Sequence, residues 1–169
     1  MKRYLRCIFF LAFAALFAGV AWLTLRATSE YPTLDAPVSY RVNQVDGFEL
    51  SIRKPSWSPF KGYTIHWRVS ANSEEVYHFI QDGEGPGFEY LERYIDGHWY
   101  RLGYSEDTFL YTTLELALGG DEGSALEGSI VQKYSYYGTR LEPGDYRLVL
   151  EMREEDGSKQ YLASDFEVE

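Results

Sequence analysis

The sequence predicts an all-β protein, an antiparallel β-sandwich preceded by one N-terminal hydrophobic helix. Three observations carry that expectation. Short segments with apolar/polar alternation follow one another through residues 38–169. Turn sequences rich in Gly, Pro, Asn and Asp separate them. Aromatic residues make up 17% of the chain, with 15 Tyr and 10 Phe, and flat rings pack well on pleated faces. No amphipathic helical period is sustained over residues 28–169, and the sequence carries no internal repeat.

The hydrophobic helix comes first. Lys2, Arg3 and Arg6 precede an uncharged run of 19 residues from Cys7 to Leu25. As a helix that run is roughly 28 Å long, close to the apolar thickness of a bilayer. Residues 1–26 are expected to be an uncleaved membrane anchor. The alternative is a signal peptide cut near the small residues Gly19-Val20-Ala21. In either case the positive charge before the run outweighs Arg26 and sends the rest of the chain out of the cytoplasm. The domain would then sit at the cell membrane or, after cleavage, be secreted. Cys7 precedes the apolar run, whereas a bacterial lipoprotein places its modified cysteine after it. No cysteine follows, so the exported part must hold without disulfides, and thiol catalysis and cysteine-bound metal are excluded. Residues 27–37, with two prolines, read as a linker to a domain over 38–169.

The strands are expected in order as follows. Val38–Val42 and Phe48–Ile52 are short candidates on either side of Asp46-Gly47. Residues 54–62 form a loop carrying Trp57 and Phe60 between prolines. In 63–69, Tyr63, Ile65, Trp67 and Val69 share one face and Thr64, His66 and Arg68 the other. Residues 75–80 are a strand, and 81–87 a glycine-rich loop. Residues 88–95 and 98–102 flank Asp96-Gly97, the strongest hairpin signal, because a type I′ turn needs positive φ at both central positions. Residues 107–118 are ambiguous between strand and helix. Residues 119–129 read as a loop and 130–138 as a strand. Along 144–153, Tyr146, Leu148, Leu150 and Met152 share one side, with Arg147, Glu151 and Arg153 on the other. Residues 154–159 then turn the chain into a final strand bearing Leu162, Phe166 and Val168.

The corner Leu141-Glu142-Pro143-Gly144-Asp145-Tyr146 narrows the architecture. In immunoglobulin-like sandwiches a tyrosine near the start of the penultimate strand bonds back to the corner before it. Together with Glu92 and Asp96-Gly97-Trp99, the motif Leu141-x-Pro143-Gly144-x-Tyr146-Arg147 resembles a bacterial Ig-like domain family of exported Gram-positive proteins. The likeness spans roughly residues 40–169. It implies an Ig-like fold and an exported location, implies no enzyme activity, and brings no functional residues with it.

Catalytic chemistry finds little support. Residues 28–169 carry 12 basic and 26 acidic side chains, a net charge of −14, which repels phosphate backbones and argues against nucleic acid. His66, His78 and His98 show no metal-ligand spacing, and the acid-glycine loops lack the alternating oxygen ligands of a calcium loop. No serine sits in a nucleophile elbow, and nothing selects a pair of carboxylates for glycoside chemistry. No cofactor or metal is expected. The candidate ligand-binding residues are Trp57 and Phe60 in the proline-bounded loop, and Tyr134, Tyr136 and Tyr137 close together in 134–137. Exposed rings of this kind stack on sugars or anchor protein partners; the plainer reading is that they close the ends of the core. The expected function is therefore a non-catalytic extracytoplasmic module that binds an envelope protein. The alternative is a module that binds wall polysaccharide through exposed aromatic residues.

Overall fold

Alternation becomes strand pairing over most of the domain. A computed structural model describes residues 32–58, 62–82, 88–103, 113–120, 123–131 and 141–169, together with Phe13 and Phe17. The chain divides into two units, Met1–Glu30 and Tyr31–Glu169. Apart from Phe13 and Phe17, which are helical, the expected anchor at 7–25 lies outside the described residues. Among the described residues no helix is long and apolar enough to cross a membrane.

The second unit contains eleven strands among its described residues: β1 (Leu34–Pro37), β2 (Phe48–Ile52), β3 (Ser56–Ser58), β4 (Gly62–Ala71), β5 (Val76–Asp82), β6 (Glu89–Ile95), β7 (His98–Leu102), β8 (Thr113–Gly119), β9 (Ser124–Val131), β10 (Gly144–Arg153) and β11 (Lys159–Val168). All pairings are antiparallel. Seven strands form one sheet in the order β1-β7-β6-β10-β5-β8, with β11 on β10. β11 lines β10 along its whole length, from Gly144 to Arg153, so β6 and β5 share the other edge in succession. The second sheet has β4 at its centre, with β2 and β3 along one edge and β9 along the other.

The two sheets meet across one apolar core, a sandwich-like arrangement. Ile65, Trp67 and Val69 of β4 are buried with Phe79, Leu91, Leu148, Leu150 and Met152 of the larger sheet. Each such side chain contributes roughly 1.5–3 kcal/mol when removed from water. His66 and Arg68 point to solvent, as the two-residue period requires. The Asp96-Gly97 turn has φ of 49° and 87°, the type I′ signature. At the proline-glycine corner the buried Tyr146 hydroxyl donates to the Glu142 carbonyl at 2.7 Å. Burial pushes that hydroxyl's pKa up to about 12, and the ring stacks on Phe166 at 5.7 Å.

Several local expectations are corrected. The glycine-rich stretch 119–129 is not all loop, because Ser124–Val131 pairs with β4. Gly128 lies opposite Trp67, and a Cβ there would come within 2.3 Å of the indole, so the glycine makes room for the largest ring in the core. Thr113–Gly119 is strand, settling that part of the ambiguous segment, and Ser56–Ser58 adds a short strand inside the expected 54–62 loop. Val38–Val42 is not a strand. Leu34–Pro37, at the end of the stretch read as linker, pairs with β7 instead, and 38–43 crosses the sheet as a strap. Finally, Arg147 and Glu151 are buried. β10 is covered on both faces, because the strap lies over the side that alternation assigns to solvent.

Candidate functional site

The strap organises the outer face of the larger sheet. The Val38 amide donates to the Trp99 carbonyl at 2.9 Å, and the Asn43 amide to the Tyr161 carbonyl at 2.8 Å. The Asn43 side chain then stands in for a strand residue. Its Nδ2 donates to the Ala163 carbonyl at 3.1 Å, and its Oδ1 accepts from the Ala163 amide at 2.8 Å. Open peptide groups on β11 are thereby satisfied without another strand, which is what a sheet edge needs. Between these tethers Tyr40 stacks on Tyr161 at 3.9 Å and packs beside Tyr90, Val149 and Ala163.

Beneath the strap runs a row of alternating charge. Arg101, Glu92, Arg147 and Asp165 are directly opposed residues on β7, β6, β10 and β11. Glu92 is fully buried. It accepts from Arg147 Nε at 2.7 Å and Nη2 at 2.6 Å, and its other oxygen accepts from the Tyr40 hydroxyl. Burial raises the Glu92 pKa, and the Arg147 guanidinium opposes that rise. The Arg147 guanidinium lies 4.3 Å from the centre of the Trp99 ring, and Arg101 lies 3.7 Å from that of Tyr90. Glu151 is similarly engaged, accepting from Tyr90 at 3.1 Å and meeting Lys159 at 2.9 Å. Lone buried charges are costly and paired ones are fixed in place, so this row holds the rings above it in one orientation.

One step beyond the row, the face opens. Tyr94 and Trp99 are opposite one another across the β6–β7 hairpin, with ring centres 5.1 Å apart and planes at 52°. Tyr94 is 43% exposed. The pair borders an open groove of about 510 Å³ that is also lined by Asp145, Tyr146, Asp165 and Phe166. The sequence contained the signal for this pair. A two-residue turn at Asp96-Gly97 makes Ile95 face His98, and therefore Tyr94 face Trp99. What it lacked was the strap and β10, which set this face against the acids.

The residues singled out from sequence fall elsewhere. Trp57 lies on β3 and is 53% exposed. Phe60, Tyr134, Tyr136 and Tyr137 lie outside the described residues. His66 is exposed on β4, His98 Nδ1 lies 3.1 Å from the Asp96 carbonyl at the hairpin, and His78 on β5 meets Glu115 at 2.8 Å. Among the described residues no group of three His, Cys, Asp or Glu side chains is placed to hold a metal ion. A second groove, between the β4–β5 and β10–β11 turns, is lined by Glu74, Glu75, Glu154, Glu155 and Asp156. Burial, then Glu75 and Glu154, push the neighbouring Tyr77 hydroxyl's pKa up to about 12. No protein-family model matches this chain, and no curated protein matches it significantly.

Proposed function

We propose that this chain is a non-catalytic binding module. It is an Ig-like β-sandwich held outside the cytoplasm, tethered through residues 7–25, that docks a protein partner of the cell envelope on the Tyr94–Trp99 face. The observation that carries the docking reading is the exposed cross-strand pair of Tyr94 and Trp99, fixed from below by Arg147 and Glu92. Tyr and Trp on a rigid base supply contact area at little entropic cost, and both are enriched at interface hot spots. The Ig-like reading draws on the Tyr146 bond back to Glu142 and on the two facing antiparallel sheets. The tether draws on the 19-residue uncharged run after Lys2, Arg3 and Arg6. Two buried carboxylates near the face, Glu92 and Glu151, are occupied by cations, which supports binding rather than acid–base work.

The test is site-specific photocrosslinking in intact cells of the source organism, with the reactive residue replacing Tyr94 or, as control, Ser51 on the smaller sheet. A discrete protein adduct from position 94 that is absent from position 51 and lost on Trp99→Ala supports the reading. Adducts of equal yield from both positions would sink it.

Trp57 favours a second reading, a wall-polysaccharide module, because its ring is more than half exposed at 53% on a short edge strand. Retention of the full chain on washed cell walls that disappears with Trp57→Ala would support that reading over the first. The 52° tilt between Tyr94 and Trp99 suits an irregular peptide surface better than the flat face of a sugar ring.

A further inference from the structure

We propose that the groove beside Trp99 receives a basic segment of the partner protein, with an arginine or lysine side chain seated between Asp145 and Asp165 against the aromatic pair; this rests on reading the Tyr94–Trp99 face as the docking surface. The local charge arithmetic points there. Arg147 is committed to Glu92, and Arg93 to Glu142 and the Pro143 carbonyl. Asp145 and Asp165 have no ion pair among the described residues, and both are exposed. Asp145 faces Glu167 and Asp165 faces Arg147 across β10 and β11, so the two aspartates are diagonal neighbours. Diagonal positions on antiparallel strands are roughly 7–8 Å apart, a gap that one guanidinium or ammonium group spans.

The rings favour the same ligand. Three guanidinium groups of this chain already lie against aromatic rings on or beside this face: Arg147 at 4.3 Å from Trp99, Arg101 at 3.7 Å from Tyr90, and Arg93 at 5.7 Å from Tyr146. Electron-rich faces attract cations, tryptophan most strongly. Tyr94 has no such cation against it among the described residues, and it is 43% exposed at the mouth of the groove. At longer range, the net −14 of residues 28–169 draws a basic partner toward the domain and repels an acidic one. Sheet-to-sheet docking of a second copy would bring Asp145, Asp165 and Glu167 against the same acids, so charge complementarity selects a basic partner over self-association.

The test uses the full chain in detergent micelles and a capped nine-residue peptide alternating Gly and Arg. A matching peptide has citrulline, the uncharged isostere, at each arginine. The readout is the indole N–H signal of each of the four tryptophans, Trp22, Trp57, Trp67 and Trp99. The arginine peptide is expected to shift Trp99 and leave Trp57 in place. Binding should weaken about tenfold in the Asp145→Asn/Asp165→Asn variant and weaken with added salt. Circular dichroism confirms that this surface variant is folded. Equal shifts at Trp57 and Trp99, binding of the citrulline peptide with equal affinity, or unchanged affinity in the double variant would each overturn the proposal. A partner adduct at position 94 without arginine-peptide binding removes the basic ligand but leaves the docking reading standing. Loss of both removes both.

Discussion

Replacing Arg147 with Met leaves the Glu92 carboxylate buried and without its cation, and the cost should depend on pH in a calculable way. Glu92 is fully buried, which raises its pKa, and the Arg147 guanidinium is the strongest influence opposing that rise. Without the guanidinium the carboxyl takes up a proton on folding instead of remaining charged. Relative to the ordinary value of 4.5, taking up that proton costs up to about 3 kcal/mol at pH 7 and under 1 kcal/mol at pH 5. Loss of the cation–π contact with Trp99, at 4.3 Å, adds about 1 kcal/mol at either pH. The variant should therefore be destabilised by about 4 kcal/mol at pH 7 and by about 2 kcal/mol at pH 5. The direction follows from linkage. A carboxyl whose folded pKa is raised contributes fully below the unfolded value, and that contribution is lost as pH rises through the folded value. Urea unfolding of wild type and variant at the two pH values measures the difference. Adding Glu92→Gln should remove the pH dependence of the cost. A destabilisation equal at pH 5 and pH 7, or below about 1 kcal/mol at pH 7, would refute the assignment of a charged Glu92–Arg147 pair.

Three further outcomes follow from neighbouring features. Tyr146→Phe leaves the Glu142 carbonyl without its donor and should cost about 1–2 kcal/mol by urea unfolding. Gly128→Val places side-chain atoms where Trp67 lies, since even a Cβ would come within 2.3 Å, and should cost about 1–3 kcal/mol while shifting the Trp67 emission. Burial pushes the Glu89 carboxyl up to about 7 against the opposing bond from Trp67 Nε1 at 2.8 Å. Wild-type stability should fall as pH rises from 4.5 through 7, and Glu89→Gln should flatten that segment of the profile. The half-buried side chain keeps that effect to about 2 kcal/mol or less, and a profile with the same slope in both proteins rules it out.

What was legible in the sequence was local. The Asp96-Gly97 turn, the alternation of Ile65, Trp67 and Val69, and the Leu141–Tyr146 corner each depend on neighbours a few residues away, and each is present as a matching feature of the fold. What escaped depended on partners far along the chain. Gly128 weakens a strand by itself, yet it is the residue that fits beneath Trp67, which lies on another strand. Arg147 and Glu151 look like a solvated stripe until a strap about 100 residues earlier in the chain covers them. The same reason hid the Tyr94–Trp99 groove. Its rings come from one hairpin, but its acids come from β10 and β11, and only sheet order brings them together.

The alternating row explains why the face is worth a buried ion pair. An apolar set at Arg101, Glu92 and Arg147 would bury area more cheaply, since buried pairs seldom improve stability over well-packed hydrophobic residues. An apolar row would also leave Tyr40 and Trp99 free to slide along it. Directional bonds to one carboxylate fix both: the Tyr40 hydroxyl bonds Glu92 directly, and Trp99 rests on the guanidinium that Glu92 holds. The strap, the strands and the exposed ring pair are thus registered against a single buried atom group. Perturbing Glu92 should therefore disturb the position of Trp99, which it reaches through Arg147, before it disturbs the rest of the core. In a Glu92→Gln variant, the Trp99 indole signal is expected to broaden or shift while that of Trp67, packed against Phe88 at 6.2 Å in the core, stays in place. Movement of Trp67 alone, with Trp99 unchanged, would mean that the row stabilises the sandwich and does not orient the face.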